Sequence, residues 1–442
     1  MSIINTGNSP SSSLVVPHFV FASISFLMLA VMVLLNIDAL QFHYNHPRVF
    51  SMVHLAALCW SSMIIFGSLY QLIPVVFEVR LFSEKLAKFN FWFFAVSSLA
   101  FVFSFYFSRF GDGVAFGGIL VFISLVLFAV NVLISISKSN KKDYSAKFVK
   151  ASIYWLLGTS FMGLLLGLNY RFHFLDQTNY NLLKLHAHIG IIGWLLFLVM
   201  GVASILVPMF LVSHNLDQRK LKYAYHLTNT SMLLLVMDWL VMKSSVFQLM
   251  YILVFAAGLL FFLSFIRQSY KNKLRKLDVG MKHTMVAFVL LFLPLILAIL
   301  IYFNSQWGLA DLKNISVLYG MAIFLGFFSN MILGQTYKTL PFIIWLDRYK
   351  QFVGKGKTPM PREMYMEKLS AVHFYTYLIS LVLLFAGLLT DEKMVLFGGA
   401  IFLLITAVLF NVNVLYILLV KKKVEPFEFN LIKEQQKKQA IK

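Results

Sequence analysis

Segments of apolar residues long enough to cross a bilayer recur along the chain, and this constrains its folding more than any motif. They lie at 14–35, 50–77, 89–107, 114–134, 151–168, 189–212, 227–241, 247–265, 284–303, 315–345, 372–389 and 395–420. Most approach the ~20 residues that carry an α-helix across the hydrocarbon core. Lipid offers the backbone no hydrogen-bond partners, so spans of this length are helical. The expectation is an all-α polytopic membrane protein, with about twelve transmembrane helices forming a single transmembrane domain over residues 1–442. Composition agrees: 60% of residues are hydrophobic, 13% are charged, and mean hydropathy is +0.80.

A net charge of +20 in a soluble protein would point to nucleic acid. Here the cations sit in alternate loops. Arg80, Lys85 and Lys88 follow the second span, Lys138, Lys141 and Lys142 the fourth, and Arg219, Lys220 and Lys222 the sixth. Lys271, Lys273, Arg275 and Lys276 follow the eighth, and Arg348, Lys350, Lys355, Lys357 and Arg362 the tenth. The intervening loops carry only isolated cations, among them Arg48, Arg109, Arg171, Lys243, Lys313 and Lys393. By the positive-inside rule both termini are expected in the cytoplasm of a bacterial inner membrane, with residues 422–442 a basic cytoplasmic tail. The charge is then a topology signal and needs no nucleic acid. The N-terminus lacks a basic region before the first apolar run, which predicts no cleaved signal peptide. Cys59 is the single cysteine, which excludes an intrachain disulfide, a Cys-x-x-Cys-His haem attachment and a cysteine-ligated cluster within this chain.

Two spans share a pattern. "HLAALCWSSMIIFGSLYQLIPVVF" places His54, Gly67 and Pro74 in the register that "HIGIIGWLLFLVMGVASILVPMF" gives His188, Gly201 and Pro208, an offset of 134. The tenth span repeats Gly334 and Pro341 at an offset of 133, with Met321 at the histidine position. Three tandem four-helix repeats are expected, approximately 14–137, 148–268 and 281–421, closing into a ring with pseudo-threefold symmetry.

Ionisable side chains in hydrocarbon are costly and usually face the bundle interior with a partner. Imidazole costs least, since it can stay neutral, and in that form it ligates haem iron and copper. His54, His186 and His188 begin spans on the sparsely charged side and can converge there. His18, His226, His283 and His373 begin spans on the basic side, where a hydrogen bond between helices is the simpler expectation. Residues two apart on a helix point about 200° away from each other, so His186 and His188 should face different cavities.

"HAHIGIIGW", followed by Gly201 and Pro208, resembles helix 10 of subunit I of the haem-copper oxidases, above all the cbb-type cytochrome c oxidases. "SMVH" and "GSLYQLIP" in the second span resemble that subunit's helix 2, and twelve helices in three arcs resemble its whole architecture. The resemblance implies haem b, one or two per chain, with His186 serving a high-spin iron and His188 pairing with His54 on a low-spin one. It also implies a redox partner or a small gas ligand, and a role in respiration or nitric oxide handling; NnrS-type haem and copper membrane proteins are a related idea.

The departures are specific. The His-x-His pair lies in the second arc instead of the third, and no adjacent His-His pair occurs to hold the family's copper. Copper therefore lacks its usual ligands, although His43, His46 and His173 in the outer loops are further imidazoles. A haem-dependent oxidoreductase activity and partner subunits or oligomers stay open. The alternative is a transporter using its histidines as proton relays or substrate ligands, against which stands the scarcity of intramembrane carboxylates, Asp238 being the main one.

Overall fold

The computed structural model describes residues 10–175, 180–308 and 314–426. The initial residues, the connections at 176–179 and 309–313, and most of the basic tail lie outside them. Twelve long helices dominate: α1 (Ser12–Leu35), α2 (Pro47–Val76), α3 (Glu84–Tyr106), α4 (Asp112–Ser137), α5 (Tyr144–Phe172) and α6 (Leu182–Leu211). α7 (Arg219–Met237, continued by a π-helical turn Asp238–Met242) precedes α8 (Ser245–Lys271), α9 (Val279–Trp307), α10 (Ile315–Phe352), α11 (Glu367–Thr390) and α12 (Lys393–Leu419). Among the described residues, eleven of these are long and apolar enough to cross a membrane. α7 is the exception: it has the length, but "RKLKYAYHLTNTS" fills its first half with polar side chains, so the twelfth expected span is a helix of lower apolarity.

Helix starts on the basic side follow local chemistry. Ser83, Asp143 and Asp278 precede α3, α5 and α9, and each side chain accepts a hydrogen bond from a first-turn amide, at Leu86, Ala146 and Met281 respectively. α1 packs against both α2 and α12, and Asn411 of α12 donates to the Ser23 carbonyl of α1, so the first and last long helices meet. A two-residue antiparallel pairing, β1 (Gly356–Lys357) with β2 (Glu425–Pro426), ties the loop after α10 to the segment after α12. Large apolar side chains such as Trp92, Phe116, Val246 and Leu389 face outward, as a protein in a lipid bilayer requires.

The spans differ in how much of each is enclosed: 78% of α10, 67% of α2 and 61% of α6, against 28% of α5 and of α9. α2, α6 and α10 are therefore the central helices. Each contains a π-helical segment of eight residues, Leu55–Ser62, Ile189–Leu196 and Ala322–Ser329, starting one residue after His54, His188 and Met321. Successive segments are 134 and 133 residues apart, the spacing of the Gly and Pro pairs. Such i→i+5 turns are rare and loosen the regular ladder, so the freed carbonyls need other donors. On α10 the Tyr377 hydroxyl donates to Leu325 O at 2.6 Å and the Asn330 amide to Gly326 O at 2.9 Å.

The central helices are pinned at these turns. Trp60 Nε1 on α2 donates to Ser329 Oγ on α10 at 3.0 Å, and Trp194 Nε1 on α6 donates to Ser62 Oγ on α2 at 3.1 Å. Trp60 and Trp194 differ by 134 positions; at the next 133 stands Phe327. The matching acceptor positions are Ser62, Leu196 and Ser329. Donor and acceptor are thus both replaced by apolar residues on the α6–α10 edge, which leaves no buried polar atom stranded there. The three glycines seat a neighbouring helix: a Cβ on Gly67 would meet His18 Cβ at 2.6 Å, on Gly201 Phe148 Cβ at 3.0 Å, and on Gly334 the Gly280 carbonyl at 2.5 Å.

Candidate functional site

A largely apolar cavity of about 1730 Å³ lies on the sparsely charged half of the bundle, among α2, α6, α10 and the helices packed around them. It exceeds the ~300–1,000 Å³ typical of a single small-ligand pocket. His54, His186 and His188 all line it, so the three histidines expected to converge do share one cavity. All three are half-buried.

Their rings are fixed by the backbone. His54 Nδ1 donates to Phe50 O at 2.8 Å and His188 Nδ1 to Lys184 O at 2.7 Å, each one helical turn back. His186 Nδ1 instead crosses to Thr159 O on α5 at 3.0 Å. A carbonyl only accepts, so each neutral ring carries its proton on Nδ1 and keeps the lone pair on Nε2. This arrangement orients a metal-binding imidazole and fixes its tautomer. Gly163 of α5 makes room for His186: a Cβ there would lie 2.7 Å from its Cε1.

His186 is close enough to His54 for the two imidazoles to interact electrostatically, whereas His188 Nε2 meets the Tyr319 hydroxyl of α10 at 3.3 Å. The spacing of His186 and His188 predicts rings that face different cavities; they line a single one, because it is wide enough to reach both sides of α6. The His186 ring lies against Thr159 and Gly163 of α5, and the His188 ring reaches Tyr319 of α10. Tyr319 stands 133 positions after His186, and Met52 stands 134 before it; both line the cavity, as does Met321. Spacing could have singled out Tyr319, since it occupies the His186 position of the third central helix. His54 Nε2 and His186 Nε2 meet no protein partner among the described residues.

The rim carries Lys184, Asp238, Trp239 and Lys243. Asp238, the carboxylate that might have served a carrier, is buried and accepts from Ser244 N at 2.8 Å, closing the turn between α7 and α8. Trp239 Nε1 is buried beside the Tyr251 hydroxyl, without reaching hydrogen-bond geometry to any acceptor among the described residues. The loop histidines have local roles: His46 Nδ1 accepts from Arg48 N at 3.3 Å at the start of α2, and His43 Nδ1 accepts from Asn45 N at 3.3 Å. His173 ends α5 in a left-handed conformation at φ 52°.

The residues present fit an iron porphyrin: bare imidazole nitrogens, held by backbone acceptors, facing an apolar volume. They do not fit a three-histidine copper site. Among the described residues no three His, Cys, Asp or Glu side chains gather as metal ligands. No family model matches this chain, and no curated protein does.

Proposed function

We propose that the chain is a haem-binding membrane redox protein, built as three tandem four-helix repeats, with a b-type haem held in the cavity by His54 and His186 and with His188 available to a second. The supporting observation is the set of backbone-locked imidazoles with Nε2 lone pairs turned to one large apolar cavity. The repeat reading draws on the matched π-helical turns and the matched Trp–Ser bonds between central helices. Packing of the His54 ring against Phe101 and Phe105, with centroids 5.1 and 5.0 Å away, limits water around that imidazole. A bound haem would supply one-electron chemistry, consistent with a role in respiration or nitric oxide handling. The protein's share is to hold Nδ1 protonated, present Nε2 and offer Lys184 and Lys243 to anionic ligand groups. Placing the basic loops in the cytoplasm puts this cavity in the outer half of a bacterial inner membrane.

The test is a reduced-minus-oxidised absorbance spectrum with pyridine haemochrome quantification, on protein from cells supplied with haem. A b-type signal is expected in the wild type, lost in His54→Ala and in His186→Ala. A colourless but monodisperse wild-type protein would sink the reading and turn the search to transported substrates.

A further inference from the structure

The half of the bundle opposite the cavity carries two polar clusters that the haem reading does not use. In the first four helices, His18 (α1), Tyr70 (α2), Asn90 (α3) and Ser124 (α4) meet in the interior, and none is exposed by more than 1%. His18 Nδ1 donates to Leu14 O at 2.9 Å, which leaves Nε2 a bare acceptor. Asn90 Oδ1 accepts from Ser124 Oγ at 2.8 Å, which fixes the amide and turns Nδ2 away as a free donor. The Tyr70 ring stands edge-on to His18 with centroids 5.5 Å apart, and its hydroxyl lies against Asn90 without reaching hydrogen-bond geometry. Three buried polar atoms, His18 Nε2, Tyr70 Oη and Asn90 Nδ2, make no hydrogen bond among the described residues.

The last four helices repeat the situation with different residues. Asn330 Nδ2 is committed to Gly326 O, so its Oδ1 accepts from His283 Nδ1 at 2.9 Å. His283 Nε2 is then the acceptor for His373 Nδ1, 3.4 Å away, and the neutral pair ends on a bare His373 Nε2. Among the described residues, that nitrogen and the Tyr337 hydroxyl are both buried without a hydrogen bond, on rings with centroids 5.7 Å apart; the hydroxyl lies against the Asn413 side chain without reaching hydrogen-bond geometry. Tyr337 lies 134 plus 133 positions after Tyr70, and His283 packs on Gly334 as His18 packs on Gly67. In the middle four helices the matching positions are Ser204 and Phe148; Ser204 bonds Ser145 at 2.6 Å, and nothing there is left over.

Leaving a buried donor or acceptor unmade costs about 1–3 kcal/mol each, so complementary unpaired atoms gathered in pairs and threes call for a small ligand that both donates and accepts. Water does this, and buried waters typically make about three hydrogen bonds to such groups. We propose that each cluster holds an internal water. The first water accepts from Asn90 Nδ2, donates to His18 Nε2 and bonds the Tyr70 hydroxyl. The second donates to His373 Nε2 and bonds the Tyr337 hydroxyl. The two sites belong to the first and last four-helix units and are missing from the middle one.

X-ray radiolysis tests this directly, because hydroxyl radicals formed from a bound water oxidise the side chain beside it even where bulk solvent has no access. Tyr377 is the internal control, since it is fully buried and its hydroxyl is already bonded to Leu325 O. Mass spectrometry of the detergent-solubilised protein should find Tyr70 and Tyr337 oxidised at least fivefold faster than Tyr377. His18→Phe should bring Tyr70, and His373→Phe should bring Tyr337, down to the control rate while Tyr377 stays unchanged. Wild-type rates at Tyr70 and Tyr337 no higher than at Tyr377 would overturn the proposal without recourse to a variant. Unchanged labelling in monodisperse His18→Phe and His373→Phe would overturn the part given to the imidazoles.

Discussion

The histidines on the two halves of the bundle use the same local device and end in opposite circumstances. His18, His54 and His188 each donate Nδ1 to a carbonyl four residues back, at 2.9, 2.8 and 2.7 Å. His54 and His188 open onto the 1730 Å³ cavity, whereas His18, His283 and His373 are sealed at 0% exposure. A helix alone thus prepares an imidazole with a bare Nε2. Whether that nitrogen serves a ligand or an internal hydrogen bond depends on what the neighbouring helices leave in front of it. On the cavity side Gly163 of α5 makes room for the His186 ring, whereas on the sealed side Gly67 and Gly334 bring α1 and α9 directly onto α2 and α10.

Glycine substitutions should separate the two halves most sharply. Gly334→Ala drives a methyl into the Gly280 carbonyl and His283 Cβ, atoms that cannot swing away, and should cost roughly 3 kcal/mol, seen as a fall in thermal midpoint. Gly163→Ala meets only the far end of the His186 ring, so the midpoint should barely move while haem content drops; equal destabilisation by both would erase the contrast. Next in size is ligand loss. His186→Ala should abolish haem retention, measured by transfer to apomyoglobin, whereas His373→Phe should leave it unchanged. Equal losses from both would mean that the sealed half also governs the cofactor.

A smaller effect concerns the joint between the halves. Ser62→Ala strands Trp194 Nε1 and should cost about 1–3 kcal/mol, while Ser62→Ala with Trp194→Phe, which reproduces the Leu196 and Phe327 chemistry of the third edge, should cost less than the two singles summed. Additive costs in that double-mutant cycle would mean the bond contributes nothing. Least of all, Tyr319→Phe removes one 3.3 Å contact to His188 and should change haem affinity by less than about threefold, leaving the signal assigned to His54 and His186 intact.

The sequence by itself determined the helical membrane character, because length and apolarity leave the backbone no other way to satisfy its amides in lipid. It also placed the histidines of the sparsely charged half, and with them the offsets of 134 and 133, since periodic spacing is a property of the chain. It overestimated α7, whose apolar run is real but whose first half is too polar to count as a span. What only the tertiary structure decided is which side chains meet. Proximity of His54 to His186, contact of His188 with Tyr319, and the His283–His373 pair across 90 residues all depend on how helices distant in sequence rotate against one another. The π-helical turns on α2, α6 and α10 alter that rotation just after the histidine positions. A 3.6-residue period read from sequence fixes a face relative to its own helix, and the packing of the bundle alone determines what that face sees.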